Sequence, residues 1–377
     1  MSLSSIQDFV EPVNLDLLSN DEGYRDTQLG KHILVNQGQL PDIASADMVI
    51  IGAGECRGAG FALNAHASAN AVRAAFYNLY YWHAQVVIAD IGNVKLGQTI
   101  QDSYAALRTV ISELILQNKK VVIIGGSHDL TLAQYHAYTS IPTLVNAVVV
   151  DAKIDLDLEA RLPSDHFLEE LFTGLPNHLN HYAHIGFQSY FMHPHMLETI
   201  DKLRFDCFRL GVVREDIEEM EPVIRDAHMM SFDISAIQNA QAPANIVTPN
   251  GLNGEEACVL MQYAGMSWKT STIGIYGYQA ELDRNHLTAV QIAQMIWYII
   301  DGVQKGKKES PLTATDRFKE FQIAFSDIDT QFLQSKSTGR WWMQLNNKEW
   351  APCSYKDYLV ASKNEIPERW LRALERE

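Results

Sequence analysis

Short runs of apolar residues recur along this chain, and most of them run into a glycine or an acid. They are "DMVIIGAG" (47–54), "VVIADIG" (86–92), "KVVIIGG" (120–126), "NAVVVDA" (146–152), "YAHIGFQS" (182–189), "CFRLGVV" (207–213), "AHMMSFDIS" (227–235) and "STIGIYGY" (271–278). Between them lie segments with helical spacing, such as "ANAVRAAFYNLYYW" (69–82), "SYAALRTVISELILQN" (103–118) and "TAVQIAQMIWYIIDGV" (288–303). Strands that are apolar at consecutive positions, not alternate ones, must be covered on both faces. Such strands alternating with helices predict an α/β fold: a three-layer α/β/α arrangement around a mostly parallel, doubly wound sheet. The pattern runs over residues 46–305. It leaves an N-terminal extension, 1–45, and a C-terminal extension, 306–377, that holds four of the seven tryptophans. The expectation for that aromatic tail is packing on the core, or a place at an interface.

In an open parallel sheet, ligands bind beyond the carboxyl ends of the strands. Three of the apolar runs place metal-type side chains there. His128 follows "VVIIGG", Asp151 and Asp155 follow "NAVVV", and Asp233 follows "HMMSF". An imidazole with three carboxylates suits Mn2+, and less specifically Fe2+ or Zn2+. A single strand-end aspartate more often caps a turn or a helix. Three sites with the same arrangement point to one locus. Two other motifs carry less. "IGAGECRGAG" (51–60) has Arg57 where a dinucleotide fingerprint needs its third glycine. The histidines of "HLNHYAHIGFQSYFMHPH" (178–195) lack an accompanying acid or cysteine and read as structural or surface residues.

The charge balance excludes some partners. A formal net charge of −16 repels phosphate backbones and anionic membrane surfaces, so neither nucleic acid nor membrane binding is expected. The four cysteines form no CxxC pair, which fits reduced thiols. The N-terminal residues lack the basic and apolar regions of a signal peptide, so the expected location is the cytoplasm.

The same residues carry a resemblance. "GGSHDLT" (125–131), "DAKID" (151–155) and "SFDIS" (231–235) resemble the three signature motifs of the ureohydrolase family, GG-x-H-(S/D), D-A-H-x-D and S-x-D-x-D. That family includes arginase, agmatinase and formimidoylglutamase. "NAVRAAF" (70–76), "IADIGNV" (88–94) and "TAVQIAQMI" (288–296) resemble further family segments in the right order, and the "GGSHD" spelling is similar to the formimidoylglutamase branch. The resemblance implies an arginase-like fold, a homo-oligomer and a binuclear Mn2+ cluster. It also implies hydrolysis of a small amidine or guanidine to an amine plus formamide or urea.

Carried over residue by residue, the first metal's ligands are His128, Asp151, Asp155 and Asp233, all present. The second metal shares Asp151 and Asp233 and adds the histidine of D-A-H-x-D and the last aspartate of S-x-D-x-D. Those two positions hold Lys153 and Ser235. Lysine plus serine carries the same net charge, +1, as Mn2+ plus an aspartate. The expectation is one metal per chain, with the Lys153 ammonium replacing the second metal between Asp151 and Asp233. The family's substrate-side glutamate falls at Gly277. Two functions follow from this pattern. One is a metal-dependent amidine or guanidine C–N hydrolase that has lost efficient binuclear catalysis. The other is an inactive relative kept for ligand binding or assembly.

Overall fold

The computed structural model describes residues 6–19, 23–63, 66–326, 328–346 and 348–374. Parts of both expected extensions, residues 1–5, 20–22 and 375–377, lie outside the described residues. Ten strands form one sheet. They are β1 (Val10–Glu11), β2 (Leu34–Val35), β3 (Met48–Ala53), β4 (Ile88–Val94), β5 (Lys120–Ile124), β6 (Val145–Val150), β7 (Leu179–Phe187), β8 (Asp206–Arg209), β9 (Met229–Asp233) and β10 (Thr272–Tyr276). Their order is β1-β4-β3-β5-β10-β9-β6-β7-β8, with β2 also on β4. β1 pairs antiparallel with β4, and the other pairings are parallel.

Among the described residues, nine helices accompany this sheet: α1 (Ala67–Phe76), α2 (Ile100–Leu116), α3 (Thr131–His136), α4 (Phe167–Thr173), α5 (Pro194–Lys202), α6 (Leu210–Glu215), α7 (Met220–Arg225), α8 (Gly254–Met266) and α9 (Leu287–Gly306). β5 shows why its sequence is branched throughout. Val122 and Ile124 pack with Val72 and Phe76 of α1 and Ile292 and Ile296 of α9. Val121 and Ile123 face the other way, into Leu107, Val110 and Leu114 of α2. Successive side chains thus enter opposite cores, as the period of two along a strand requires. The result is the expected three-layer α/β/α fold. Among the described residues, no helix is long and apolar enough to cross a membrane.

Three details differ from the sequence pattern. The run 207–213 is not one strand: β8 stops at Arg209 and α6 starts at Leu210. The N-terminal extension contributes β1 and β2 to the main sheet. The C-terminal extension builds a second, antiparallel sheet, β11 (Phe318–Phe325), β12 (Ile328–Ser335), β13 (Trp341–Gln344) and β14 (Trp350–Cys353). Helices α10 (Tyr355–Ser362) and α11 (Glu368–Leu374) follow it. Trp341, Trp342 and Trp370 are buried there. These strands were hidden because charged and amide side chains interrupt their apolar residues, as in "FKEFQIAF" (318–325).

Candidate metal centre

The strand order brings the candidate residues together. β5, β10, β9 and β6 are consecutive neighbours, so the residues at their carboxyl ends share one locus. β5 runs into Gly125 and Gly126, whose φ values of +92° and +83° are the left-handed turns that glycine allows. The chain then forms a 3-10 turn, His128–Leu130, that aims the imidazole across the sheet end. His128 Nδ1 lies 2.8 Å from Asp155 Oδ2, 3.1 Å from Asp151 Oδ2 and 3.9 Å from Asp233 Oδ2. All four residues are buried, at 4%, 2%, 4% and 9% exposure for His128, Asp151, Asp155 and Asp233.

Neighbours that the strand-end pattern did not single out hold this cluster in place. His128 Nε2 is 3.1 Å from Ser231 Oγ, which is itself 2.6 Å from Thr131 Oγ1. With Nε2 donating to Ser231, Nδ1 is turned to the carboxylates and carries the proton it shares with them, the proton that a bound cation would displace. Phe167 packs edge-on against the same ring at 4.8 Å. Beneath Asp151, His184 Nε2 donates to its carbonyl at 3.1 Å, and Tyr182 Oη donates to His184 Nδ1 at 2.7 Å. Burial holds His184 down at about 4, so this imidazole is neutral. His184 is therefore a support of the centre and not a surface residue.

The electrostatics suit a bound cation. Burial and the neighbouring Asp151 charge raise Asp155 well above the usual carboxylate range, and burial with the same neighbour raises Asp233 to about 6. Burial also pushes Asp151 upward, but hydrogen bonds from His128 and Ser235 outweigh it and hold Asp151 low. His128 is raised: burial disfavours its charge, and the hydrogen bonds to Asp151 and Asp155 outweigh that. Three buried carboxylates around one nitrogen are mutually repulsive unless a positive charge joins them. The atoms His128 Nδ1 and one oxygen each from Asp151 and Asp155 lie within 4.8 Å of one another, close enough to hold one divalent ion, with Asp233 Oδ2 beside them.

The outer oxygens of the two shared aspartates are already engaged. Ser235 Oγ donates to Asp151 Oδ1, which also accepts the Lys153 N–H at 3.2 Å. Ser235 N–H donates to Asp233 Oδ1 at 2.8 Å. Each aspartate therefore turns only its Oδ2 toward His128. The Lys153 ammonium does not take the expected place between Asp151 and Asp233. Its hydrogen bond goes to Asp165 Oδ1 at 2.9 Å, on the loop after β6, and its side chain is 34% exposed. Burial lowers the lysine's pKa, but Asp165 and the Asp155 field outweigh it, so the lysine stays charged. Gly277, at φ +79°, follows β10 so closely that a Cβ there would overlap the Asp233 carboxylate. That position has no room for an acid of any kind.

A separate cleft of about 1190 Å3 lies at the amino ends of β6 and β7, where Asn146, His181, Glu219, Lys356, Arg369 and Arg372 are among its walls. None of the four candidate ligands lines it. Lys356, Arg369 and Arg372 are each paired with a carboxylate, and among the described residues no metal-spaced group of acids, histidines or cysteines lies in this cleft.

The family model described as "Arginase family" matches residues 46–301. The chain belongs to the arginase family. Among solved structures, formimidoylglutamase from Bacillus subtilis superposes with a TM-score of 0.65 at 17% identity, covering 76% of this chain and 95% of that one. Trypanosoma cruzi formiminoglutamase, solved with Mn2+, gives 0.63 at 15% identity, over 69% and 94%. The agmatine ureohydrolase of Thermoplasma volcanium gives 0.59 at 18% identity, over 76% and 98%. No curated protein matches the sequence. This arginase-family chain is thus similar in fold to formimidoylglutamases and an agmatinase-like enzyme, with an added C-terminal sheet.

Proposed function

We propose that this protein is a mononuclear, metal-dependent C–N hydrolase acting on a small linear amidine or guanidine. One divalent cation is held by His128, Asp151, Asp155 and Asp233. The observation that carries this reading is the convergence of His128 Nδ1 with three buried carboxylates at 2.8, 3.1 and 3.9 Å. Mn2+ fits the donor set best, and Fe2+ and Zn2+ fit it less specifically. When bound, the cation supplies Lewis acidity that activates water and polarises the C–N centre. Ser231 orients the His128 ring, and His184 fixes the Asp151 backbone. Phe167, the first residue of α4, covers one side of the imidazole. Lys153 adds a positive charge at the rim, where negative charge would develop on a substrate nitrogen or oxygen.

A second reading is a relative that binds ligand without turning it over. The hydroxyl of Ser235 on Asp151 Oδ1 and the sterically closed position at Gly277 favour it. Protein purified without chelator is expected to carry one divalent ion per chain by elemental analysis. Two ions, or none after Mn2+ soaking, would sink the mononuclear reading. A panel of linear amidines and guanidines, assayed for formamide, urea or ammonia release, then separates the two functions. Metal-dependent release supports the hydrolase, and metal binding without release supports the second reading.

A further inference from the structure

We propose that Asp165 is a positioning residue that holds the Lys153 ammonium out of the carboxylate cluster, leaving the cluster open to a divalent cation. This inference rests on the single-metal reading above. Lys153 lies in sequence between Asp151 and Asp155, and its own N–H already touches Asp151 Oδ1 at 3.2 Å. Its side chain starts beside three carboxylates yet ends on a fourth, Asp165 Oδ1, at 2.9 Å. A flexible ammonium next to that much negative charge competes with any incoming cation. Something must hold it elsewhere, and Asp165 is placed to do so.

The loop that carries Asp165 is folded onto the centre. Asp165 N–H donates to Leu162 O at 3.0 Å, and Asp165 O accepts from Asp157 N–H at 3.1 Å. Just beyond, Leu168 N–H donates to Asp155 O at 3.1 Å, and Phe167 rests on His128. The backbone bonds fix where the Asp165 carboxylate stands without using its side chain. Removing the charge there releases the lysine and leaves the loop in place. At 34% and 32% exposure the two side chains meet water, so the released ammonium is free to swing inward. Asp165 acts on the cation only through Lys153.

The test is Mn2+ binding to the full chain by calorimetry and equilibrium dialysis, at one pH, for three proteins. Asp165→Asn is expected to bind Mn2+ at least about tenfold more weakly than wild type, with unchanged stoichiometry. Asp165→Asn combined with Lys153→Met is expected to return to wild-type affinity or better, since no ammonium remains to fall inward. A loop that merely collapsed would leave the double variant as weak as the single one, and that result overturns the inference. So does an Asp165→Asn protein that binds as tightly as wild type. A wild-type chain that binds no Mn2+ overturns the metal reading itself, and this inference with it.

Discussion

The proposed single-cation site rests on which oxygen of each aspartate is free. Asp151 and Asp233 each give Oδ2 to the His128 locus, and their Oδ1 atoms are occupied by Ser235 and the Lys153 N–H. Changing Ser235→Asp together with Lys153→His restores the two private ligands of a second site. The expected result is an increase from one to two Mn2+ per chain by elemental analysis. Without metal, the added carboxylate beside Asp151 and Asp233 makes the double variant less stable than wild type, by about 1–3 kcal/mol, and Mn2+ recovers the loss. An unchanged metal content would show that residues 153 and 235 do not face a second position. The four candidate positions are legible in the sequence because each follows a short apolar run that reads as a buried strand, and β5, β6 and β9 are those strands. The placement of Lys153 is not legible. It depends on Asp165, twelve residues further on, reached through a loop whose path no local pattern gives. Ser231 lies inside a quoted motif, and its role behind His128 appears only once β5 and β9 flank β10.

At the scale of elements, a buried ion pair sets the sheet against a helix, and a half-buried contact ties β6 to the start of β9. Arg73 of α1 meets Asp90 of β4 through Nε–Oδ2 at 2.7 Å and Nη2–Oδ1 at 2.9 Å, with both side chains fully buried. Tyr77 Oη donates to the same carboxylate at 2.9 Å. Replacing Asp90→Ala leaves a buried guanidinium without its counterion, so urea denaturation is expected to show a loss of about 3–5 kcal/mol. Arg73→Met with Asp90→Leu removes both charges and is expected to lose less than the single change. A double variant that is worse than the single one contradicts this account. The second contact is His228, just before β9. Asn146 N–H donates to its Nδ1 at 2.9 Å, which requires the neutral ring, and burial lowers its pKa to about 4, helped by Lys269. The unfolded chain titrates this group near 6.5, so between those values the unfolded state binds the extra proton. Stability therefore falls as pH drops from about 6.5 toward 4, by up to about 1.4 kcal/mol per pH unit from this group, and less for its residual exposure. His228→Asn puts an amide oxygen near the place of Nδ1 and is expected to flatten that slope relative to wild type. Parallel pH profiles for the two proteins would rule out His228 as the source.

The whole molecule joins the arginase-family domain to the C-terminal sheet through side chains that include Arg225, Arg340, Lys356, Arg369 and Arg372. Arg225, at the end of α7, lies 4.3 Å over the ring of Trp342. Its Nη2 donates to Trp341 O at 2.8 Å and Cys353 O at 3.2 Å, so it binds β13 and β14 at once. Across the neighbouring cleft, Arg369 meets Glu219 at 3.0 Å and Arg372 meets Asp206 at 2.8 Å. The C-terminal unit keeps a core of its own in Phe325, Phe332, Trp341, Met343 and Trp370. Arg225 belongs to the main domain, where it also pairs with Glu221 at 3.2 Å, and not to that core, so changing it probes chiefly the junction. Arg225→Met retains an apolar stem over Trp342 and removes the charged donor that bridges Trp341 O and Cys353 O. A hydrogen bond from a charged group contributes about 1.5–3 kcal/mol. The rim ion pairs, partly exposed, contribute too little to make up the difference. The expected outcome is a junction that opens before the main domain unfolds. Scanning calorimetry should resolve an earlier transition in the variant, and limited proteolysis should cut faster within residues 307–314, the connection between α9 and β11. Because the candidate ligands sit at the carboxyl ends of the strands and the cleft at their amino ends, Mn2+ binding should survive this change. A variant with a single unshifted transition and unchanged proteolysis would mean that the two units are held by something other than Arg225.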